Sequence, residues 1–121
     1  MKELALIDGR EIQVFQDIFF SPLSLGSLCS LIERVAEKQP QGIYNLGARD
    51  GMSKADFAFQ FAEALALPVS KLKRATSPAV TGSRAARPKD MRMDVSKFES
   101  LFGERLPSLT SEIKLAAEEY L

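Results

Sequence analysis

Residues 84–103 read RAARPKDMRMDVSKFESLFG and hold the most position-specific chemistry of the 121-residue sequence. Pro88 prevents an uninterrupted helix in the first half of this stretch, so the four cations around it lie on an irregular or extended backbone. These cations are Arg84, Arg87, Lys89 and Arg92. Because several cationic donors gather there, the segment predicts a cradle for a small anion.

The second half of the same stretch predicts a helix with both ends marked. Asp94 is a suitable N-cap, and Gly103 suits the left-handed conformation that often ends a helix. The apolar residues between them share one face at helical spacing. They are Val95, Phe98, Leu101 and Phe102. A basic loop fixed to a packed helix is therefore expected.

The rest of the chain alternates strand patterns with helical ones. We expect strands at residues 11–17, 43–46 and 72–75, a turn at 17–22, and helices at 24–39 and 53–65. A last helix is expected to have Thr110 as its cap. Residues 76–86 are a loop by composition, and residues 1–8 fit either a strand or the end of a helix. The predicted fold class is α/β: one small mixed domain over residues 1–121, with a short sheet flanked by three or four helices.

The overall charge disfavours long polyanions as partners. Sixteen basic and sixteen acidic residues cancel, so no global field draws the chain onto nucleic acid or an anionic membrane. Between Lys71 and Arg92, however, seven cations face a single anion, Asp90. This local excess fits a small anionic ligand, and we expect neither a nucleic-acid nor a membrane partner.

Cysteine and histidine usage excludes several kinds of site. Cys29 is the only cysteine and histidine is absent, so an intrachain disulfide, a thiolate metal cluster and a histidine-based triad are ruled out, and no metal site is expected. Cys29 itself is expected to be a small buried residue. The first residues, MKELALIDGRE, carry charges too early for a signal peptide, and no apolar run approaches the ~20 residues of a membrane span. A reducing, cytoplasmic setting is expected.

Three segments in collinear order resemble one known family. They are FFSPLSLGSLCSLIERV at 19–35, GIYNLGARDGMSKADFAFQFAEALAL at 42–67, and the Arg-Pro-x-Asp and Asp-x-Ser-Lys pair within 84–103. They are similar to the C-terminal region of extended short-chain dehydrogenase/reductases that act on nucleotide-diphosphate sugars, above all the dTDP-4-dehydrorhamnose reductases. The resemblance implies the substrate-binding part of such an enzyme, without its Rossmann half.

The resemblance also implies site residues. It places a diphosphate-binding arginine at Arg87, with Asp90 holding its guanidinium and Lys89 beside it; the alternative is a purely structural Arg87–Asp90 salt bridge. It places residues 20–22 in the wall of the sugar-nucleotide pocket. These are Phe20, Ser21 and Pro22. The alternative here is a simple helix entry in which Ser21 is the cap. Leu23 and Ser24 depart from the family pattern, so the identity of the sugar stays open.

The motifs of cofactor binding and catalysis are not in this sequence. None of the seven glycines forms the turn that places a dinucleotide phosphate at a helix N-terminus. The reductases also use a Tyr-x-x-x-Lys pair, but Tyr44 is followed at that spacing by Ala48. We therefore expect no catalytic and no cofactor-binding residues, and no activity of the chain alone. The resemblance implies NADPH, or NADH, bound by the missing half.

The predicted function is a nucleotide-sugar substrate-binding domain of an NADPH-dependent reductase that serves dTDP-rhamnose biosynthesis. The expected partners are a nucleotide-diphosphate sugar and the missing Rossmann half, with self-association through the apolar face that this half would cover. The alternative is a non-enzymatic protein-interaction module derived from the same domain.

Overall fold

The computed structural model describes residues 9–79, 82 and 84–121. These residues contain five short strands and four helices. The strands are β1 (Ile12–Phe15), β2 (Phe19–Phe20), β3 (Met52–Ser53), β4 (Leu72–Ala75) and β5 (Asp90–Met91). The helices are α1 (Leu25–Lys38), α2 (Lys54–Ala64), α3 (Ser96–Phe102) and α4 (Leu109–Glu118). The small mixed α/β fold is confirmed. The expectation for residues 1–8 lies outside the described residues.

The strands form two small sheets. β1 and β4 pair in parallel, with Ile12 opposite Leu72 and Phe15 opposite Ala75. The second sheet has the order β3-β2-β5, in which β2 is antiparallel to β3 and parallel to β5. β1 and β4 were expected from their alternating patterns. The two-residue strands β2, β3 and β5 were not, because two residues carry no periodicity.

Helix α2 packs on the sheet of β1 and β4. Val14 from β1 and Leu72 from β4 are buried against Ala55 and Ala62 of α2. A second cluster joins α1 to α3 through Leu31 and the residues around it. A third joins α2 to α4. The core of the described residues therefore consists of three clusters, two of which share α2.

Serines begin three of the four helices. The hydroxyls of Ser24, Ser53 and Ser108 each accept a hydrogen bond from the backbone N–H three residues later. The expected cap at Thr110 is therefore wrong, because Ser108 directly precedes the first helical residue. The alternative in which Ser21 is the cap is wrong for the same reason, since α1 begins after Ser24.

Helix α3 begins slightly later than expected. Its N-cap position is Val95, which makes no side-chain capping bond. The Asp94 carboxylate nevertheless accepts hydrogen bonds from the N–H and hydroxyl of Ser96, at 3.0 and 2.6 Å. Gly103 has φ 67° and ends the helix as expected.

Two further expectations are corrected. Residues 43–46 are not a strand here, because no described strand lies beside them to form a ladder. Cys29 is exposed rather than buried, since it lies on the outer side of α1. Among the described helices, none has the length and apolar character needed to cross a membrane.

Candidate functional site

The basic loop is fixed at its base by Asp17, which follows β1. The Asp17 carboxylate accepts hydrogen bonds from the Lys89 Nζ at 2.9 Å, the Ser77 hydroxyl at 2.7 Å and the Ser77 N–H at 2.9 Å. The lysine, and then the serine donors, hold the pKa of Asp17 well below its usual range. One carboxylate therefore joins both ends of the segment between β4 and β5.

Asp90 is paired with Arg92 rather than with Arg87. Its carboxylate accepts from the Arg92 Nε at 2.8 Å and Nη2 at 2.7 Å. These bonds lower the pKa of Asp90 to about 2 and raise that of Arg92. The Arg92 guanidinium also lies over the Phe19 ring, 5.0 Å from its centroid. The expected role of Asp90 in orienting Arg87 is therefore wrong. Residues two apart in an extended chain lie on the same side, which places the Arg92 guanidinium next to the Asp90 carboxylate.

Two arginines of the loop stay open to solvent. Arg84 and Arg87 are exposed, and neither forms an ion pair with a described residue. Lys89 and Arg92, by contrast, are held by carboxylates. The loop thus separates cations that fix it to the fold from cations that remain able to bind an anion.

Ser21 joins three segments of the chain. It is 6% exposed, and its hydroxyl accepts a hydrogen bond from the Met93 N–H at 3.0 Å. Its carbonyl accepts from the Ala48 N–H at 2.9 Å. Gly47 permits this approach, since a Cβ there would lie 2.7 Å from the Ser21 carbonyl oxygen. Ser21 therefore links these segments, and its hydroxyl and carbonyl oxygens each accept a hydrogen bond from the protein.

Phe20 and Pro22 face different cavities. Phe20 lines an apolar cavity of about 300 Å³ that Phe57 and Lys54 also line. The Phe20 and Phe57 rings meet edge-on, with their centroids 5.2 Å apart. Pro22 lines a smaller cavity of about 80 Å³ beside Glu112. Pairing of β2 with β5 places Phe20 opposite Met91. The fold therefore brings residues 19–22 next to residues 90–91, although the two segments were identified from separate motifs.

Sequence reasoning missed Asp17, Ser77 and Gly51 as residues that shape the site. Asp17 could have been found as the acidic residue shortly after β1 in a chain with a strongly basic loop. Nothing in the sequence around Gly51 indicates its role, which is to leave space for the Arg92 side chain. Among the described residues, no group of three acidic, cysteine or histidine side chains could hold a metal ion.

Comparison with known proteins identifies the family. The sequence model of the RmlD substrate binding domain matches residues 1–121. The chain belongs to the RmlD substrate binding domain family. This confirms the resemblance seen in the sequence, and the family is described by its substrate binding rather than by cofactor binding.

Solved structures share the fold of this RmlD substrate binding domain. The dTDP-4-dehydrorhamnose reductase from Bacillus anthracis, in complex with NADP, superposes with a TM-score of 0.82 at 21% identity, covering 97% of this chain and 40% of the reductase. The reductase from Yersinia enterocolitica superposes with a TM-score of 0.81 at 21% identity, covering 98% of this chain and 42% of the reductase. At these identities the likeness concerns the fold.

A curated relative is more similar in sequence. Methionine adenosyltransferase 2 subunit beta from Mus musculus is 33% identical over 95 residues, which cover 74% of this chain. The RmlD substrate binding domain described here spans 28% of the length of that relative. The non-enzymatic alternative is not favoured, because the matching family is a substrate-binding domain.

Proposed function

We propose that this domain binds a nucleotide-diphosphate sugar for a longer reductase, the parent reductase, whose remaining part binds NADPH or NADH. The family match and the reductases among the structural neighbours support this proposal. One of those neighbours carries NADP, and this chain spans only 40% of it. Reduction of the dTDP-4-dehydro sugar that leads to dTDP-rhamnose, in the cytoplasm, is the corresponding activity of the parent reductase.

The observation that carries the proposal is that only some cations of the basic loop are paired with carboxylates. Lys89 is fixed by Asp17 and Arg92 by Asp90, while Arg84 and Arg87 face solvent without a partner among the described residues. Arginine presents a planar fork of donors that matches two oxygens of a phosphate. A loop held at its base and carrying such free forks is suited to a diphosphate.

Within this proposal, the binding residues differ in what they do. Arg87 contacts the diphosphate directly. Lys89 and Asp90 hold the loop in place through Asp17 and Arg92, and Ser21 fixes the neighbouring segment. Phe20 and Pro22 provide apolar walls beside it. The proton donor and the cofactor site belong to the rest of the parent reductase, since the tyrosine-lysine pair and the glycine turn are not in this sequence.

The test is a substitution at Arg87 in the parent reductase. Charged hydrogen bonds contribute about 1.5–3 kcal/mol, so Arg87→Ala should weaken binding of dTDP-rhamnose about tenfold to a hundredfold. Arg87→Lys should also weaken it, because the charge remains but the fork is lost. NADPH affinity should hardly change. Isothermal titration with each ligand measures both effects.

The matched control is Lys73→Ala, which removes an exposed cation of β4 and should leave binding unchanged. A folded Arg87→Ala variant that binds dTDP-rhamnose like the unmodified protein would contradict the assignment. A thermal melt separates this outcome from simple unfolding.

A further inference from the structure

The Arg92 guanidinium is held in a fixed position at the protein surface. Its Nε and Nη2 donate to the two oxygens of Asp90 at 2.8 and 2.7 Å, a two-pronged arrangement in which both groups share a plane. The Arg92 N–H donates to the same carboxylate at 3.1 Å. The Phe19 ring lies against the guanidinium, and Gly51 leaves space for the side-chain stem. Asp90, Phe19 and Gly51 therefore fix where the guanidinium plane lies.

The paired groups remain open to solvent on the side away from Phe19. The Arg92 and Asp90 side chains are 50% and 55% exposed. The pair carries no net charge, because the hydrogen bonds from Arg92 lower the pKa of Asp90 to about 2 and so keep both groups ionised at neutral pH. We call Phe19, Asp90 and Arg92 the stacking platform. A phosphate binds best to an unpaired cation, whereas a flat and neutral platform suits an uncharged planar ring.

The stacking platform lies next to the loop that is proposed to bind the diphosphate. Arg87 precedes Arg92 by five residues, so even an extended backbone separates their Cα atoms by no more than about 18 Å. A nucleotide-diphosphate sugar carries an anionic diphosphate and, beyond one ribose, a neutral planar base. Arginine planes are established stacking partners for exposed bases in proteins. The unpaired and the paired arginine thus match two different groups of one ligand.

We infer that the base of the nucleotide-diphosphate sugar stacks on the open face of the Arg92 guanidinium, with Asp90 and Phe19 holding that guanidinium in place. The inference rests on the proposed function, and it adds the subsite for the base. Stacking contacts the face of a ring and leaves its edges unread. The platform therefore contributes affinity for any base, and the choice between bases depends on other residues.

The test compares a ligand that has a base with one that lacks it. Isothermal titration of the parent reductase with dTDP and with pyrophosphate measures the two affinities. Arg92→Lys keeps the charge but removes the plane, so dTDP affinity should fall at least about fivefold, while pyrophosphate affinity should change by less than about twofold. UDP should lose affinity by the same factor as dTDP. Arg87→Ala is the matched comparison and should weaken both dTDP and pyrophosphate.

A second variant protects the test against a misfolded Arg92→Lys protein. Asp90→Asn changes an exposed side chain of similar shape and leaves the Arg92 guanidinium less firmly oriented and without its counter-charge. Pyrophosphate should then bind more tightly, because an unpaired cation has been added, and the ratio of dTDP affinity to pyrophosphate affinity should fall at least about fivefold. Thermal melts of both variants verify that they are folded.

The outcomes separate the inference from the proposed function. Folded variants that bind dTDP like the unmodified protein overturn the inference alone if Arg87→Ala still weakens pyrophosphate binding. An equal loss of dTDP and pyrophosphate affinity in Arg92→Lys assigns Arg92 to the diphosphate and overturns the inference. A loss seen with dTDP-rhamnose but not with dTDP places the sugar on the platform, with the same consequence. An unmodified parent reductase that binds neither dTDP nor pyrophosphate contradicts the proposed function, and the inference with it.

Discussion

Gly51 illustrates how a single residue without a side chain shapes the site. A Cβ at this position would lie 2.6 Å from the Arg92 Cγ and 2.8 Å from the carbonyl oxygen of Phe20. The second of these contacts is with backbone, which cannot move aside as a side chain can. The approach of β2 to Arg92, and with it the Asp90–Arg92 pair, therefore requires glycine here.

Gly51→Ala should destabilise the fold by about 1–3 kcal/mol, because the added methyl group has no room. Gly26→Ala is the control: Gly26 lies in α1 with no atom within 4 Å of an added Cβ, so the change should stabilise by about 0.5–1 kcal/mol. Urea unfolding followed by circular dichroism measures both. Equal stability of the two variants would show that Arg92 and β2 rearrange at little cost.

The ion-pair partner of Asp90 could not be predicted from the sequence. From the sequence, Arg87, which directly precedes Pro88, was expected to pair with Asp90, and Arg92 was not considered as the partner. The pairing of Asp90 with Arg92 depends on β5, which contains Asp90 and is directly followed by Arg92. A two-residue strand exists only through its pairing with β2, which is a tertiary contact. The cluster of cations, by contrast, was identifiable from the local sequence.

At the scale of elements, α1 and α4 are joined through a buried carboxylate. Glu112 of α4 is 3% exposed. It accepts hydrogen bonds from the Ser27 hydroxyl at 2.9 Å and from the N–H and hydroxyl of Ser24 at 3.3 Å each. A negative group is favourable at this position, because the N-terminus of a helix carries partial positive charge. Glu112 thus completes the capping of α1 from a distant part of the chain.

Glu112→Ala should lower the free energy of unfolding by about 1.5–3 kcal/mol, the usual contribution of hydrogen bonds to a charged group. Glu118→Ala, at the exposed end of the same helix, should change it by no more than about 0.5 kcal/mol. Thermal and urea unfolding provide the comparison. If the two variants are equally stable, water replaces the carboxylate and the link between the helices is not energetic.

Prediction of the elements succeeded where the information is local. The helices now called α1 and α2 were expected from apolar periodicity and from Ser53 as a cap, and the structure agrees. Strands β1 and β4 were also found. The contribution of Glu112 could not be seen, because nothing in the sequence around it indicates which helix end it reaches.

For the whole molecule, the small mixed α/β fold followed from the order of its local elements. What did not follow is the division into two sheets and the lack of a ladder at residues 43–46. Both depend on which segments meet in space.

This chain alone should not oxidise NADPH in the presence of a nucleotide sugar, since the motifs expected to bind the cofactor and protonate a ketone are not in this sequence. Absorbance of NADPH at 340 nm, followed with and without the chain, is the measurement. Addition of the rest of the parent reductase is the positive control. A rate above background from the chain alone would show that its own residues form a catalytic site.

The parallel pairing of β1 with β4 also constrains how the polypeptide acquires its structure during synthesis. Ile12 meets Leu72 only after a loop of about 60 residues has closed, a slow step compared with helix formation. At translation rates of about 5–20 residues per second, β4 leaves the ribosome about 3–12 s after β1. For that interval Val14 lacks the strand that completes its cluster. The nascent chain is therefore most exposed to aggregation, and most accessible to chaperones, between the appearance of its first strand and its fourth.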